Sequence, residues 1–432
     1  MSKHSRRDFV KTASVAALGA MVVPRRVLGL GGLPPSRTLN IALVGVGGRG
    51  LEVMTRFLDE NIVAVCDVDY AYVERSLDGR LRPRSGNPPT ETNVKLGEAY
   101  RKAEKFTDFR RMLERRRDID AVMIATPDHT HAHIAMAAMQ LGKHVYVEKP
   151  LAYSVYENRL LARTARSAGI VSQMGHQGHS EEGTRRIRDL VTAGVIGPVR
   201  EVHIWTDRPV RFWAQGLPRP GWDNTPPPPA NPPAVPPRPE DANVHPRWSM
   251  RTVETAVLKE MASQPQTQPP GLEWDLFLGP AKALPYHPSY HPFSWRGWID
   301  FGVGALGDMG AHLVDQAYFA LDLDQPASIV ASSTPWGGPA SDPASYPLAM
   351  SCQYEFAARG ARPAVKVLWY DGGLLPPRPA HFPDDQALPI GAGGGAYFVG
   401  DRGILVHEVY GRNPKVYPES LAAEAEAVPK TT

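Results

Sequence analysis

A chain of 432 residues, 42% of them hydrophobic, is too long for one ordinary domain and apolar enough for two cores, which excludes a disordered polypeptide. The formal charge of +3 is no nucleic-acid signature: Lys3, Arg6, Arg7, Lys11, Arg25 and Arg26 face only Asp8 in the leading segment, and the remainder is slightly acidic. Two cysteines, Cys66 and Cys352, far apart and in apolar surroundings, exclude a disulfide framework and read as buried thiols.

The chain opens with Ser5-Arg6-Arg7-Asp8-Phe9-Val10-Lys11 and an apolar run from Thr12 to Val23, a pattern similar to a twin-arginine export signal. The run is too short to span a bilayer comfortably, and no later apolar run reaches 18 residues. A leader and link over 1–36 therefore predict an exported, periplasmic or extracytoplasmic protein with no stable membrane span. Because this route carries folded proteins, a cofactor bound in the cytoplasm travels inside.

Ile41 to Val44 reads as a buried strand that breaks into Gly45, Gly47, Gly48 and Gly50 around Arg49. Such a turn lets backbone N–H groups approach a diphosphate at a helix N-terminus. A helix over Leu51 to Asp59 and a strand over Ile62 to Val65 follow, delivering Asp67 22 residues beyond Gly45. A carboxylate there accepts hydrogen bonds from the adenosine ribose and disfavours a 2′-phosphate, so NAD is expected rather than NADP. Tyr100 to Phe109 reads as a turn into the next unit and Ala121 to Ala125 as a strand. Thr126-Pro127-Asp128-His129-Thr130-His131 opens a helix to Leu141, and the strand His144 to Val147 leads into Glu148-Lys149-Pro150. A helix over Ser154 to Ala168 and a last strand, Ile170 to Met174, complete a β-α alternation that predicts a doubly wound parallel sheet over 37–174.

Ligands in such sheets sit beyond the carboxyl ends of the strands, which gathers the glycine turn, Thr126, Pro127 and Glu148-Lys149 into one candidate site. His129 fits a packing role as well as a site role, whereas His131 is the better candidate to face the cofactor. A carboxylate and an ammonium leaving one buried strand together need partners at its open end, or serve as a surface ion pair. Pro150 offers a cis bond to aim Lys149.

These residues carry a resemblance. The Gly-Val-Gly-Gly-Arg-Gly turn, Asp67, Thr126-Pro127 and Glu148-Lys149-Pro150 resemble the glucose-fructose oxidoreductase, inositol dehydrogenase and rhizopine-catabolism (Gfo/Idh/MocA) family of NAD(P)-dependent oxidoreductases. The leader and Trp274-Asp275-Leu276-Phe277-Leu278-Gly279-Pro280 look like its exported branch, and the resemblance runs from 37 to about 415. It implies a Rossmann domain followed, over 175–432, by a substrate domain built on an open, mainly antiparallel sheet.

Gly175-His176-Gln177-Gly178-His179 leaves the last strand beside the expected nicotinamide, making His176 and Gln177 candidate substrate contacts. A helix over Ser180 to Ala193 and a strand over Val199 to Thr206 begin the second domain, and Leu217 to Pro239 is a proline-rich excursion. Arg296 precedes Gly304 to Asp315, where the four-residue spacing of Asp308 and His312, with Asp315 three later, predicts one helix face carrying two carboxylates and an imidazole. Histidine titrates near neutrality and suits a base that takes a hydroxyl proton while hydride leaves the same carbon. Asp308 could also cap the helix with His312 packed inside. No third histidine or cysteine lies at ligand spacing, so no metal is expected.

The Asp-x-x-x-His-x-x-Asp arrangement is similar to the catalytic helix of the inositol dehydrogenase branch, which implies His312 as base, Lys149 as donor to the reacting hydroxyl and Asp308 as a group that helps to hold substrate and base; Arg296 and Asp315 are candidate substrate contacts. Two-residue-period runs over Ala349 to Phe356, Ala364 to Tyr370 and Gly403 to His407 suit the open sheet. The expected activity is hydride transfer between NAD and a hydroxyl carbon of a sugar, polyol or glycoside, with a homo-oligomer allowed. The alternatives are a glycosidase using NAD for transient oxidation, whose branch places a tyrosine and a histidine where this chain has Asp308 and His312, and a cofactor-containing sugar-binding protein.

Overall fold

The computed structural model describes residues 38–83, 87–209, 212–220, 267–389 and 393–431. The leading segment, where an export signal is expected, most of the proline-rich excursion and most of the segment from His245 to Gln268 lie outside them.

The first half alternates strands β1 (Asn40–Val44), β2 (Asn61–Cys66), β3 (Glu104–Phe106), β4 (Ala121–Ile124), β5 (His144–Glu148) and β6 (Ser172–Gly175) with helices α1 (Gly48–Met54), α2 (Tyr70–Leu81), α3 (Glu91–Lys102), α4 (Phe109–Arg115), α5 (Asp128–Gln140) and α6 (Val155–Ala168). The strands form one parallel sheet in the order β3-β2-β1-β4-β5-β6, with β1 and β4 at its centre. Alternation along β1 explains the layering: Ile41 and Leu43 pack on Leu51, Met54, Leu77 and Tyr100, whereas Ala42 and Val44 pack on the α5 side with Ile134 and Ala138. Each fully buried aliphatic side chain contributes roughly 1.5–3 kcal/mol, so both faces of an uncharged strand hold it in place. Ser154 begins α6 with a capping box, its hydroxyl accepting from the Glu157 N–H while the Glu157 carboxylate accepts from the Ser154 N–H, and Gly169 ends the helix at φ +63°.

The second half carries α7 (Glu182–Thr192), β7 (Val199–Thr206), α8 (Trp274–Leu278), α9 (Gly304–Leu313), α10 (Asp315–Leu321), β8 (Ser328–Ser333), β9 (Met350–Phe356), β10 (Val365–Tyr370), β11 (Gly394–Gly400), β12 (Ile404–Glu408), β13 (Lys415–Tyr417) and α11 (Ala422–Ala427). Its seven-stranded sheet runs β13-β12-β11-β7-β10-β9-β8, antiparallel except between β7 and β10. Helices α7, α9 and α10 cover one face through Ile187, Leu190, Met309, Leu313 and Ala317 against Val202, Ile204, Val367 and Phe398. The architecture is thus a doubly wound parallel sheet followed by a mainly antiparallel one.

An aromatic cluster ties the halves together. Trp274, Phe277, Tyr290, Trp298 and Phe301 pack with Leu272, and the Glu273 N–H donates to the Val68 carbonyl beside the end of β2. Against expectation, the first helix begins at Gly48 and gives way after Met54 to a short 3-10 turn, and Tyr100 to Phe109 holds not only a turn but the edge strand β3, three residues too short and too polar to register as a pattern. Cys66 and Cys352 are buried free thiols, as their surroundings predict. No helix among the described residues is long and apolar enough to cross a membrane.

The start of the proline-rich excursion is anchored by charge. Arg219 donates from Nε and Nη2 to Asp300 Oδ2 at 3.1 and 3.0 Å, with side chains 4% and 6% exposed, and also pairs with Asp342. Arg219→Ala leaves the Asp300 carboxylate buried and unpaired, so urea unfolding is expected to report a loss of about 3–5 kcal/mol, whereas breaking the exposed pair of Arg200 and Asp401 by Arg200→Ala should leave the unfolding midpoint nearly unchanged.

Candidate active site

The glycine turn is shaped by what it excludes. Gly45 sits at φ +79° with a Cβ position 2.7 Å from the Ala125 backbone, and a Cβ on Gly50 would stand 1.9 Å from the Gly45 carbonyl oxygen, so the first turn of α1 lies directly on the strand end. A Cβ on Gly47 would enter the Tyr72 ring at 2.6 Å. Asp67 reaches under this turn: Oδ2 accepts from the Val46 and Gly47 N–H groups at 2.8 and 3.1 Å, and Oδ1 from the Asp69 N–H at 2.9 Å. Burial pushes its carboxyl up, against these three N–H bonds. Asp67 thus lines the cleft as expected, yet it also holds the turn, a structural task that the ribose reading did not include.

The loops leaving β4, β5 and β6 are stitched to one another. His129 is a packed residue, its ring between the Phe301 and Phe277 carbonyls at 3.2 and 2.9 Å, and burial pushes it down to about 4. His131 departs from expectation: although it touches the cleft wall, Nδ1 and Nε2 meet the carbonyls of Pro150 and Thr126, both at 2.8 Å, so its nitrogens brace the two loops and face no ligand. The Thr126 hydroxyl accepts from Thr130 Oγ1 at 2.8 Å, and Thr126 and Pro127 line the cleft. Glu148, 4% exposed, accepts from Arg49 at 3.2 Å and from the Gln177 amide at 2.7 Å, which joins the first turn of α1 to the loop after β6. The Lys149–Pro150 bond is cis.

Lys149 crosses from the first half to α9. Its ammonium donates to Asp308 Oδ1 at 2.7 Å and to the Asp308 carbonyl at 2.9 Å, and Arg296 Nε lies 3.4 Å from the same Oδ1. Burial would raise the Asp308 carboxyl, but Lys149 and Arg296 hold it far below the ordinary range. One turn on, His312 Nδ1 stands 3.3 Å from the Gln177 carbonyl, which places its proton on Nδ1 and leaves the Nε2 lone pair free. Burial and the nearby Lys149 ammonium push this imidazole down to about 3.

These groups share a cleft of about 1390 Å³ with Gly45, Gly47, Gly48, Arg49, Asp67, Gln177, Arg296 and the aromatic side chains of Phe212, Phe293 and Trp295. Typical small-molecule pockets span about 300–1,000 Å³, so this one has room for a dinucleotide and a second ligand side by side.

Two expected substrate contacts are placed elsewhere. The helix breaks at Val314, and Asp315 opens α10 turned away from the Asp308 and His312 side; it meets His179 at 3.0 Å and His176 at 3.9 Å. Neither His176 nor Asp315 lines the cleft.

Two cleft residues escaped sequence reasoning. Asp128, inside the quoted Thr-Pro motif, accepts from the Val303 N–H at 3.2 Å at the start of α9, and burial pushes its carboxyl up to about 7 despite Lys149. Tyr410, from the chain after β12, packs edge-on to His312 with ring centroids 4.9 Å apart. Charge placed at a strand's open end could have signalled Asp128; nothing in the local pattern points to Tyr410.

A dinucleotide cradle and a buried lysine, aspartate and histidine in one cleft, between a doubly wound sheet and an open one, define a nucleotide-binding fold of the Rossmann class. Two family models agree: an oxidoreductase family with an NAD-binding Rossmann fold matches residues 39–176, and its C-terminal alpha/beta domain matches residues 254–335. The chain belongs to the Gfo/Idh/MocA oxidoreductase family. It is 33% identical over 182 residues to a glycosyl hydrolase family 109 protein of Shewanella pealeana, covering 38% of this chain and 37% of that one. It is 30% identical over 172 residues to an alpha-N-acetylgalactosaminidase of Shewanella oneidensis, covering 35% of each. The chain therefore spans well under half the length of these relatives. The fold is similar to the WlbA dehydrogenase from Bordetella pertussis, solved with NADH and UDP-GlcNAcA, with TM-score 0.51 and 16% identity over 88% of this chain and 80% of that one.

The residues present fit NAD. The turn presents backbone where a Cβ would obstruct, α1 has no side-chain cap at its N-terminus, Arg49 Nε is buried without a protein partner, and a carboxylate stands at the end of β2.

The raised Asp128 carboxyl has a signed consequence. The unfolded chain releases this proton near pH 3.9 and the folded chain near 7, so stability from this group is full below pH 4 and is lost as pH rises through 7. Asp128→Asn keeps the neutral shape; the stability of the wild type relative to this variant, from urea unfolding at several pH values, should fall between pH 4 and 7 and level off above.

Proposed function

We propose that the protein is an exported NAD-dependent oxidoreductase that moves hydride between the nicotinamide and a hydroxyl carbon of a sugar, polyol or glycoside. The observation that carries this reading is the ion pair of Lys149 and Asp308 with His312 one turn away, in the cleft that also holds the glycine turn and Asp67.

The roles follow from unspent hydrogen-bonding capacity. Lys149 has three N–H donors and gives two to Asp308, leaving one for the oxygen of the reacting hydroxyl. His312, neutral and with Nε2 free, takes the hydroxyl proton, and the imidazolium that forms is offset by Asp308. As negative charge develops on the substrate oxygen the Lys149 contact strengthens, which is the differential binding that lowers a barrier. NAD, when bound, supplies the hydride acceptor. Phe293 and Trp295, over which Arg296 stacks at 4.3 Å from each ring, offer apolar faces suited to the C–H side of a sugar ring.

Two relatives named as glycosidases favour a second reading, in which NAD cycles during glycoside cleavage. A panel of sugars and aryl glycosides separates them: the oxidoreductase reading expects reduced nicotinamide in step with substrate consumed, the glycosidase reading expects aglycone release with none accumulating.

His312→Ala is expected to lower kcat by about 10²–10⁴-fold while nucleotide binding stays nearly intact. In the wild type the acid limb of kcat/KM should lie well below pH 6.5, because the base stays neutral there. Lys149→Met removes the cation that disfavours imidazolium, so it should lower turnover and move that limb to higher pH. Retention of most activity by His312→Ala would place the base elsewhere.

Export is supported by Arg6 and Arg7 ahead of the apolar run. Cells producing the double variant Arg6→Lys, Arg7→Lys should retain the protein in the cytoplasm, as read by fractionation; unimpaired passage would remove this part of the reading.

A further inference from the structure

Three side chains that the proposed chemistry leaves unused meet outside the cleft. His176 and His179 lie in the loop after β6, and Asp315 opens α10, more than 130 residues away. We infer that His176, His179 and Asp315 bind a divalent transition ion, zinc foremost, that clamps the loop after β6 to the α9–α10 junction.

The donor geometry is the first support. His179 Nδ1 and His176 Nε2 stand 3.0 and 3.9 Å from the same oxygen, Asp315 Oδ2, and one ligating atom from each residue lies within 4.8 Å of the other two. Zinc bonds of about 2.0–2.2 Å in tetrahedral array set ligand atoms roughly 3.3 Å apart, so side-chain rotation of the order of an ångström closes the set. The imidazole rings are stacked, centroids 5.6 Å apart and planes 27° apart, so both edges address the carboxylate from one side. Two imidazoles and a carboxylate with open positions suit zinc or a neighbouring divalent ion better than calcium or magnesium, which favour oxygen ligands.

Charge is the second support. The Asp315 side chain is only 10% exposed, and its ion-pair partners are two histidines, each charged only when protonated. A carboxylate taken this far out of water calls for a compensating cation, and a divalent ion held between the two imidazoles supplies one. On metallation His176 Nε2, which touches the Ala311 carbonyl, and His179 Nδ1 become ligand atoms, so each neutral ring carries its hydrogen on the other nitrogen and solvent relays the exchange with no net proton released.

Access and consequence complete the case. His179 is about half exposed, which leaves an entry path and a position for water as fourth ligand. Phe319, under the Arg188 guanidinium, packs against the His179 ring at 5.1 Å and holds it in place. Gln177 lies between the two histidines, and its carbonyl fixes the tautomer of His312. An ion at this point therefore stiffens a contact of the proposed base without touching the substrate.

The test uses the full chain after chelation, with zinc titrated by calorimetry and cobalt by visible absorption, and needs no turnover, so it stands apart from the oxidoreductase reading. The expected result is one ion per chain with a Kd below about 10 μM, the intense visible bands of low-coordinate cobalt, and at least about a 100-fold weaker Kd in both His179→Ala and Asp315→Asn, each checked for folding by circular dichroism. His179 is exposed enough for its variant to fold even where Asp315→Asn does not. A Kd above about 10 μM, or binding unchanged in His179→Ala, overturns the proposal.

Discussion

The buried ion pair of Lys149 and Asp308 is the contact on which the site depends. Side chains 12% and 14% exposed lose most of their hydration, and a pair so placed holds only because the geometry is short and further donors satisfy the carboxylate. The lysine comes from the strand end of the nucleotide-binding half and the aspartate from α9 of the other half. Neither charge is tolerable there alone. Registration of the two halves is thus coupled to assembly of the site, and burial together with the same ammonium that anchors Asp308 keeps His312 in its neutral, proton-accepting form.

That coupling is transmitted by polar contacts that are individually ordinary. Glu148 links Arg49 of the glycine turn to Gln177, and Gln177 passes the link to His312; Asp128 ties the start of α9 to the loop after β4. Parallel strands point all their carboxyl ends the same way, so loops distant in sequence converge. The antiparallel sheet of the second half contributes a platform for α7, α9 and α10, and through them the far wall of the cleft.

What sequence could reveal was set by the range of the physics involved. Uncharged strands buried on both faces announce themselves, and a glycine turn followed at the right distance by Asp67 is a local signature of a non-local contact. Family resemblance placed Lys149 and Asp308 at one site, but their pairing was not legible, because no periodicity links them. Periodicity was insufficient for Asp315: α9 ends at Leu313, and although Val314 keeps helical dihedrals, the Asp315 side chain meets the histidines of another loop and does not line the cleft. His131 was misread because composition cannot say that both ring nitrogens would find carbonyls. β11 begins with two glycines, normally strand-weakening, yet a Cβ on Gly394 would lie 2.0 Å from the Trp205 carbonyl oxygen and on Gly395 2.6 Å from that of His407. Close approach of backbones demanded glycine there, a tertiary requirement invisible in the local pattern.

Tyr410 shows the same requirement from the opposite side. It is a bulky residue at φ +64°, ψ +16°, a left-handed conformation that costs of order 1–3 kcal/mol and persists only where surroundings over-determine it. They do so here: the Thr184 hydroxyl donates to its carbonyl at 3.1 Å, Gly178 leaves room that a Cβ would take at 2.9 Å, and the ring closes edge-on over His312. Gly178 lies between Gln177 and His179, so the loop that fixes the histidine tautomer is also the loop that accepts Tyr410. A strained residue from the last strands thereby seats the imidazole against the carbonyl that orients it, and the antiparallel sheet acts directly on the base as well as on the helices that carry it.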